Sequence, residues 1–277
     1  MTAPAVPASS LVDAFADFVA NVPRREVPLP SGPARVWDMG EGRPLLLLHG
    51  IAASRRLYFR VLPLLARRRR VLVPTLLGEE APLRRVTYEE QADELQALLE
   101  ALELRDVTVC GTSFGGAVAL ALAARHPARI AELIVHGGFL RYRLRRADRA
   151  LLALSPLLPA SLGAAYFASR VLKGRESALL ARHAPGLDAL NAQWCRKTPF
   201  ATLRARSRLI DAVDLAPRAA GISLPITLAR GRLDRVVPEV HFDALRGALP
   251  SARPVLWEEV AHLAPLTHPG LFAGLVG

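Results

Sequence analysis

The feature that most constrains the fold is a short apolar strand that runs through a glycine-flanked serine into a helix of small residues. The strand is Val107–Cys110 and the helix is Gly115–Arg125, with Gly-Thr-Ser113-Phe between them. Glycines suit such a turn because neighbouring backbones approach there at distances that a Cβ would prevent. The pattern predicts a sharp, strained strand-to-helix turn that lifts the Ser113 hydroxyl clear of a sheet.

Strands and helices alternate along most of the chain, which favours a mostly parallel sheet with helices on both faces. Pro44–His49 contains four consecutive leucines, the apolar run expected of a strand buried on both faces. We therefore predict an α/β fold with an eight-stranded sheet, whose strands are Arg25–Pro30, Ala34–Met39, Pro44–His49, Arg70–Val73, Val107–Cys110, Ile130–His136, Leu224–Ala229 and Arg253–Trp257.

Helices are predicted between most of these strands. One spans Leu57–Ala66, a second begins at the capping box Thr87-Tyr-Glu-Glu90, and a third spans Glu239–Ala248. Another capping box at Ser10-Leu-Val-Asp13 predicts the start of an amphipathic helix near the N-terminus. A further helix closes the chain.

After the sixth predicted strand the alternation lapses into helical segments interrupted by proline. This predicts a helical cap over residues 139–218, between two parts of one core, residues 1–138 and 219–277. Residues 150–169 carry no charge, but Pro156, Pro159 and Gly163 break them into short pieces. They therefore favour an apolar lid over a transmembrane helix, and no membrane span is expected.

The chain is strongly basic, with a formal net charge of +11. Nearly all of its 36 basic residues are arginine, since Lys173 and Lys197 are the only lysines. This excess indicates either an acidic partner or a composition bias with arginines on solvated helix faces. No nucleic-acid-binding motif is present, so no nucleic-acid partner is expected. Cys110 and Cys195 form no disulfide framework or metal spacing, and a cytoplasmic protein is predicted.

A serine hydroxyl becomes a good nucleophile only when a base takes its proton. His262 lies in the loop after the last predicted strand, where such a base is expected in this kind of sheet. The rival histidines are His126 and His268, which precede prolines, and His136, which ends a strand. We predict that His262 is the base.

The base in turn needs an acid that fixes its tautomer and stabilises its charged form. Asp234 follows the seventh predicted strand and precedes a helix. Asp211 and Asp214 are the alternatives, but they lie at the end of the predicted cap, where they more readily cap or solvate helices. Ser113, Asp234 and His262 occur in the chain order nucleophile, acid, base that is typical of this arrangement.

From about Val27 to Leu275 the chain resembles the α/β-hydrolase fold superfamily, in the form of a serine esterase or lipase with a helical cap. After the fourth strand, where relatives often carry an acid and a Gly-x-Gly turn, this chain has Val73-Pro-Thr-Leu-Leu-Gly78, so the resemblance does not extend to a subfamily. The motifs that carry the resemblance are His49-Gly50 after a buried strand, the Ser113 turn, the Gly-x-x-Asp turn at Asp234 and the Ala-His262 loop.

The resemblance implies that the backbone N–H groups of Ile51 and Phe114 form an oxyanion hole. It also implies a serine hydrolase that cleaves a carboxylic ester or related acyl bond through an acyl-enzyme, with no metal or organic cofactor. Two alternatives stay open: a C–C bond hydrolase or lyase with the same triad, and a ligand receptor that retains the triad. A serine nucleophile argues against the aspartate-based chemistry of dehalogenases and epoxide hydrolases in this fold.

Aromatic residues and leucines in the predicted cap favour a hydrophobic acyl substrate, although most of them pack the cap onto the core. The expected substrate-binding residues are His49, Gly50, Phe139, Tyr166 and Trp194. An arginine cluster at the start of the cap fits either an acidic carrier protein or a solvated face; its members are Arg141, Arg143, Arg145, Arg146 and Arg149.

Overall fold

A computed structural model describes residues 8–52, 54–77, 86–155, 175–187, 190, 194 and 198–277. Its sheet has eight strands, which are β1 Arg24–Val27, β2 Ala34–Met39, β3 Pro44–Leu48, β4 Arg70–Pro74, β5 Val107–Thr112, β6 Ile130–His136, β7 Ile226–Gly231 and β8 Arg253–Trp257. They lie in the order β1-β2-β4-β3-β5-β6-β7-β8. The first two strands run antiparallel to their neighbours, and β4, β3, β5, β6, β7 and β8 run parallel to one another. The mostly parallel α/β fold predicted from the sequence is confirmed.

The helices described are α1 Ala8–Asn21, α2 Leu62–Leu65, α3 Tyr88–Ala101, α4 Phe114–Arg125, α5 Arg146–Leu154, α6 Arg175–His183, α7 Phe200–Ala212, α8 Ala216–Ala219, α9 Glu239–Ala248, α10 Ala264–Thr267 and α11 Pro269–Val276. Short 3₁₀ turns lie at Arg55–Tyr58 and Pro127–Arg129.

The four leucines of β3 divide the core into two halves. Leu46 and Leu48 pack with apolar residues of α3, α4 and α9, whereas Leu45 and Leu47 pack with residues of α1, α2 and α11. All four side chains are fully buried. Successive side chains of a strand point to opposite faces, so this strand binds helices on both sides of the sheet. Each buried leucine stabilises the fold by roughly 1.5–3 kcal/mol.

Some predicted boundaries were wrong for local reasons. The helix expected over Leu57–Ala66 is a 3₁₀ turn followed by the short α2, which begins with Pro63 in its first turn. Proline has no N–H to donate to the preceding turn, so it starts a new helix. Helix α1 begins at Ala8, which places Ser10 inside the helix and not at its cap. Strand β7 begins after Pro225 and continues to Gly231.

Between β6 and β7 the described residues form helices α5 to α8, in the segment predicted as a cap. We call residues 139–218 the β6–β7 insert. Residues 156–174, which contain most of the uncharged stretch, lie outside the described residues. In the part of the chain that the structure describes, no helix is both long and apolar enough to cross a membrane. The division into two core parts and a cap stays a prediction.

Two buried tyrosines support the central strands in different ways. The Tyr58 hydroxyl donates to the Leu48 carbonyl (2.8 Å) and lies 3.0 Å from Thr112 Oγ1, so it links the ends of β3 and β5. Tyr88 packs its ring against Phe114, with centroids 5.6 Å apart. Among the described residues, the buried hydroxyl of Tyr88 has no hydrogen-bond partner. Only the hydroxyl of Tyr58 therefore stabilises the fold through hydrogen bonds.

Removing each hydroxyl should separate these two roles. Tyr58→Phe removes the buried hydrogen bonds to the Leu48 carbonyl and Thr112 Oγ1 and should lower the free energy of unfolding by about 1–3 kcal/mol. Tyr88→Phe removes a buried group without a partner and should be neutral or stabilise by up to about 1 kcal/mol. Urea unfolding followed by circular dichroism measures both. Equal losses in the two variants would contradict this account.

Candidate active site

Ser113 occupies a strained turn between β5 and α4. Its backbone has φ 58° and ψ −119°, in the left-handed half of conformational space that residues with a Cβ rarely adopt. The turn is held by Ser113 N–H, which donates to the His136 carbonyl (2.9 Å), and by Gly116 N–H, which donates to the Ser113 carbonyl (2.8 Å). Strain of this kind persists only where the surroundings hold it in place, as at active sites.

Two glycines allow the turn to fit against its neighbours. A Cβ on Gly111 would lie 2.1 Å from the Gly115 carbonyl oxygen. A Cβ on Gly115 would lie 2.2 Å from the Leu48 carbonyl oxygen at the end of β3. Both distances are far below any van der Waals contact, so backbone packs directly on backbone here.

His262 and Asp234 form a buried pair near this turn. His262 Nδ1 lies 2.7 Å from Asp234 Oδ2, and both side chains are almost inaccessible to solvent. The other carboxylate oxygen, Oδ1, accepts hydrogen bonds from the backbone N–H groups of Val236 and Val237, each at 2.9 Å. Both oxygens of the buried acid are therefore hydrogen-bonded, which offsets the cost of removing its charge from water.

Each member of the pair shifts the pKa of the other in the direction that favours its charged form. Burial would raise the pKa of Asp234, but the charge and hydrogen bond of His262 hold that pKa below its usual value. Burial would lower the pKa of His262, but the charge and hydrogen bond of Asp234, with a further contribution from the charge of Glu176, hold that pKa above its usual value. The imidazolium form of His262 is thus favoured by its surroundings, as a proton acceptor requires.

Parallel strands bring these residues to one edge of the sheet, the carboxyl ends of β5, β7 and β8. A Cβ on Gly137, directly after β6, would lie 3.2 Å from both Asp234 Oδ2 and His262 Nδ1. Ser113 is joined to β6 through its backbone bond to His136, whose ring stacks on that of His262 with centroids 6.5 Å apart. Among the described residues the Ser113 hydroxyl has no hydrogen bond, so the direct bond to the base is not formed in this conformation. Such bonds often tighten only when substrate is bound.

The rival histidines lie in other surroundings. His136 is fully buried, and burial lowers its pKa to about 3. His126 pairs with Asp93 (2.6 Å), while His268 packs against His183 with ring centroids 4.4 Å apart. Of the described histidines, it is His262 that hydrogen-bonds to Asp234.

The residues predicted for the oxyanion hole lie next to the turn. Phe114 is the first residue of α4 and is fully buried, and Ile51 follows the His49-Gly50 pair at the end of β3. His49 is fully buried, with Nδ1 2.9 Å from the Gly50 carbonyl oxygen. The backbone of this loop and that of the turn meet, because Gly115 packs against the carbonyls of Leu48 and His49.

Two charged residues of the β6–β7 insert reach this region, and the sequence analysis did not identify either of them. Arg206 on α7 donates to the Ile51 carbonyl (2.9 Å). Glu176 on α6 accepts hydrogen bonds from the backbone N–H groups of His262 and Leu263, the second at 3.3 Å. Burial raises the pKa of Glu176 to about 7, against the opposing effects of the His262 charge and of these two bonds. Their partners are backbone groups, which leave no trace in a sequence pattern.

The expected substrate-binding aromatics are dispersed. Phe139 packs against Tyr142 and His241, with ring centroids 5.2 Å and 6.3 Å apart, on the side of the acid loop. Trp194 packs against Phe15 of α1 (4.8 Å) and against Phe59. Tyr166 lies outside the described residues. A substrate role for these three residues stays a prediction.

The arginine cluster at the start of the insert is partly paired. Arg141 binds Asp214 (2.7 Å) and Arg149 binds Asp211 (2.8 Å). Arg145, which directly precedes α5, binds Asp148 of that helix (3.1 Å). The two acids considered as alternatives to Asp234 therefore pair with arginines at the surface, where such ion pairs add little stability.

Comparisons with known proteins agree with this fold. A family model described as the alpha/beta hydrolase fold matches residues 43–162. The pimeloyl-[acyl-carrier protein] methyl ester esterase of Aromatoleum aromaticum is 30% identical over 240 residues, which cover 81% of this chain and 93% of the esterase. The 2-hydroxymuconate semialdehyde hydrolase of Pseudomonas sp. (strain CF600) is 29% identical over 255 residues, 87% of each chain.

The fold is also that of solved structures. The enol-lactonase from Burkholderia xenovorans LB400 superposes with a TM-score of 0.81 at 21% identity, over 91% of this chain and 98% of the lactonase. With the sheet order, the turn at Ser113 and the relatives above, the chain belongs to the α/β-hydrolase family.

The close backbone contact at the turn predicts a large effect of one added methyl group. Gly115→Ala should lower the free energy of unfolding by about 3 kcal/mol or more, because its Cβ meets a strand carbonyl that cannot move aside. Gly247→Ala is the control, since a Cβ on this residue of α9 meets nothing within 4 Å. This variant should be neutral or gain up to about 1 kcal/mol. Urea unfolding measures both, and a loss below about 1 kcal/mol in Gly115→Ala would contradict the contact.

The charge of Glu176 predicts a shift in the titration of His262. The folded-state pKa of His262 lies above its usual value of 6.5. The ring should therefore still be mostly protonated at pH 6.5 and lose its proton only at higher pH. Glu176→Gln removes one of the charges that raise this pKa, so the midpoint should move to lower pH. NMR titration of the His262 Cε1–H signal, assigned with a His262→Gln variant, measures the midpoint. An unchanged midpoint in Glu176→Gln would show that the carboxylate does not act on the ring.

Proposed function

We propose that this hydrolase cleaves a carboxylic ester through an acyl-enzyme, with Ser113 as nucleophile, His262 as general base and Asp234 as the acid that orients it. The observation that carries the proposal is a strained serine turn at the same sheet edge as a buried His–Asp pair. No other described histidine hydrogen-bonds to Asp234, and this acid has both oxygens engaged. The arrangement supplies the three roles that nucleophilic serine chemistry needs.

The first step transfers the acyl group to the enzyme. His262 Nε2 takes the hydroxyl proton as Ser113 Oγ bonds to the carbonyl carbon of the ester. The carbonyl oxygen becomes an oxyanion, which the backbone N–H groups of Ile51 and Phe114 bind. His262 then returns the proton to the alcohol oxygen as the C–O bond breaks, leaving an ester on Ser113.

The second step regenerates the enzyme. Water attacks the carbonyl carbon of the acyl-enzyme while His262 takes one of its protons. The bond to Ser113 Oγ breaks, His262 gives the proton back to that oxygen, and the carboxylic acid leaves. Asp234 stays ionised throughout, since its surroundings hold its pKa low, and it stabilises the imidazolium that forms in each step.

The substrate is proposed to carry a hydrophobic acyl group, because the β6–β7 insert is rich in leucine and aromatic residues. The insert serves as the cap over the site. The proposed substrate-binding residues are those named from the sequence: His49, Gly50, Phe139, Tyr166 and Trp194. A cytoplasmic location also stays a prediction.

The names of relatives favour one further function and one partner. The hydrolase of Pseudomonas sp. (strain CF600) is named for a muconate semialdehyde, which supports C–C bond hydrolysis with the same three residues as a second candidate. The Aromatoleum relative is named for an ester on an acyl carrier protein, which supports an acidic carrier as the partner of the arginine cluster. The pairing of Arg141, Arg145 and Arg149 with acids reduces the positive charge available for such a partner.

A substrate panel with a serine variant tests these proposals. The wild type should hydrolyse chromogenic acyl esters, and Ser113→Ala should lose at least about 10³-fold in kcat/KM because the nucleophile is gone. The control Ser251→Ala changes an exposed serine and should keep full activity. The panel includes an ester series from short to long chains, an acyl-carrier-linked methyl ester and a vinylogous diketone.

The panel has an outcome for each candidate. Ester turnover that depends on Ser113 supports the proposed function. The acyl chain length with the highest kcat/KM then indicates the size of the acyl pocket. Turnover of the diketone alone would replace ester cleavage with C–C cleavage. If the wild type bound these compounds but turned over none, the enzyme proposal would be wrong and ligand reception would take its place.

A further inference from the structure

Arg206 places a charged side chain inside the protein. It lies on α7 of the β6–β7 insert and its relative exposure is 0%. Burying a guanidinium costs free energy unless it is paired or hydrogen-bonded, so such a residue is retained where its contacts matter. Its contacts therefore indicate what it does.

The guanidinium joins two loops at the carboxyl edge of the sheet. Nη1 donates to the carbonyl of Ile51 (2.9 Å), in the loop after β3. Nη2 donates to the carbonyl of Leu77 (2.8 Å) and lies 3.2 Å from that of Leu76, in the loop after β4. Arginine suits this position because its fixed fork of donors can hold two carbonyls in a set geometry.

The same guanidinium lies over the ring of Phe114. Its central carbon is 5.4 Å from the ring centroid, a distance at which a cation and an aromatic face attract each other. The Phe114 ring is packed from another direction by Tyr88. One side chain of the insert thus contacts both Ile51 and Phe114.

Other residues of the insert hold the same loop. Leu203 of α7 packs with Ala52, and Phe200 and Ile51 pack against this pair. The Thr198 hydroxyl lies 3.5 Å from the Ala52 carbonyl oxygen. Helix α7 is therefore fixed against the loop after β3, so Arg206 extends toward the Ile51 carbonyl from a helix whose position is set.

We propose that Arg206 is a positioning residue for the oxyanion hole. This inference rests on the proposed function, in which the N–H groups of Ile51 and Phe114 bind the oxyanion. The bond to the Ile51 carbonyl fixes the peptide plane that follows Ile51, and the stacked guanidinium fixes the Phe114 side chain at the start of α4. Together they restrain the chain next to both donors.

The expected effect follows from the sensitivity of this kind of site to geometry. Loss of one oxyanion donor typically costs about 10²–10³ in kcat, and a displacement of about 1 Å costs about 10². The donors matter most when charge has developed on the carbonyl oxygen. Loss of Arg206 should therefore weaken transition-state binding far more than substrate binding.

The test compares Arg206→Met and Arg206→Lys with Arg208→Met, which changes an exposed arginine of the same helix. With a chromogenic ester, Arg206→Met should lose about 10²-fold in kcat with KM changed less than about threefold. Arg206→Lys should recover part of the loss, since an ammonium can still donate to the Ile51 carbonyl. Arg208→Met should match the wild type.

A transition-state analogue separates positioning from a general structural role. The inhibition constant of a trifluoromethyl ketone should rise in parallel with the loss in kcat/KM, while urea unfolding shows each variant to be folded. Unchanged kcat, or a rise in KM alone, would overturn the proposal. If Arg206→Met does not fold, the same comparison is made between Arg206→Lys and Arg208→Lys.

Failure of the inference can be told apart from failure of the proposed function. If the wild type hydrolyses esters and Ser113→Ala does not, equal kcat in Arg206→Lys, Arg206→Met and the wild type overturns the role of Arg206 alone. If the wild type hydrolyses no ester, the proposed function fails first. The rate of Ser113 phosphonylation by a fluorophosphonate then measures the oxyanion hole directly, and equal rates in these proteins would overturn the inference.

Discussion

The site depends on direct contact between backbones at the turn around Ser113. Gly111 meets Gly115, and Gly115 meets the Leu48 carbonyl, at distances that exclude even a methyl group. This contact sets the height of α4 above β3, and hence the position of Phe114 relative to the loop that carries Ile51. To allow this contact, Ser113 adopts a strained backbone conformation. The buried strands on either side of the turn hold that conformation in place.

Charged side chains surround the turn that the backbone contacts form. Asp234 and His262 stabilise each other inside the protein, and the backbone N–H groups of Val236 and Val237 bind the other carboxylate oxygen of the acid. The β6–β7 insert adds a cation on the Ile51 side of the site and a carboxylate on the His262 side. The insert therefore places opposite charges on either side of the Ser113 turn.

Much of the fold could be predicted from the sequence because it follows from local periodicity. The four leucines of β3 and the glycines around Ser113 have few alternative structures, and the chain order of Ser113, Asp234 and His262 follows the strand order. Boundaries failed where single residues decide them, as at Pro63, which divides a continuous apolar helix pattern. Arg206 could not be found because its partner Ile51 lies 155 residues away and offers only a backbone carbonyl.

The carboxylate of Glu176 has a mechanical consequence. It belongs to α6 but accepts the N–H groups of His262 and Leu263, so α6 cannot lift away without leaving two buried donors unpaired. A displacement of α6 would therefore also free the backbone of the loop that carries His262. The position of this helix and the position of the base are coupled through a single side chain.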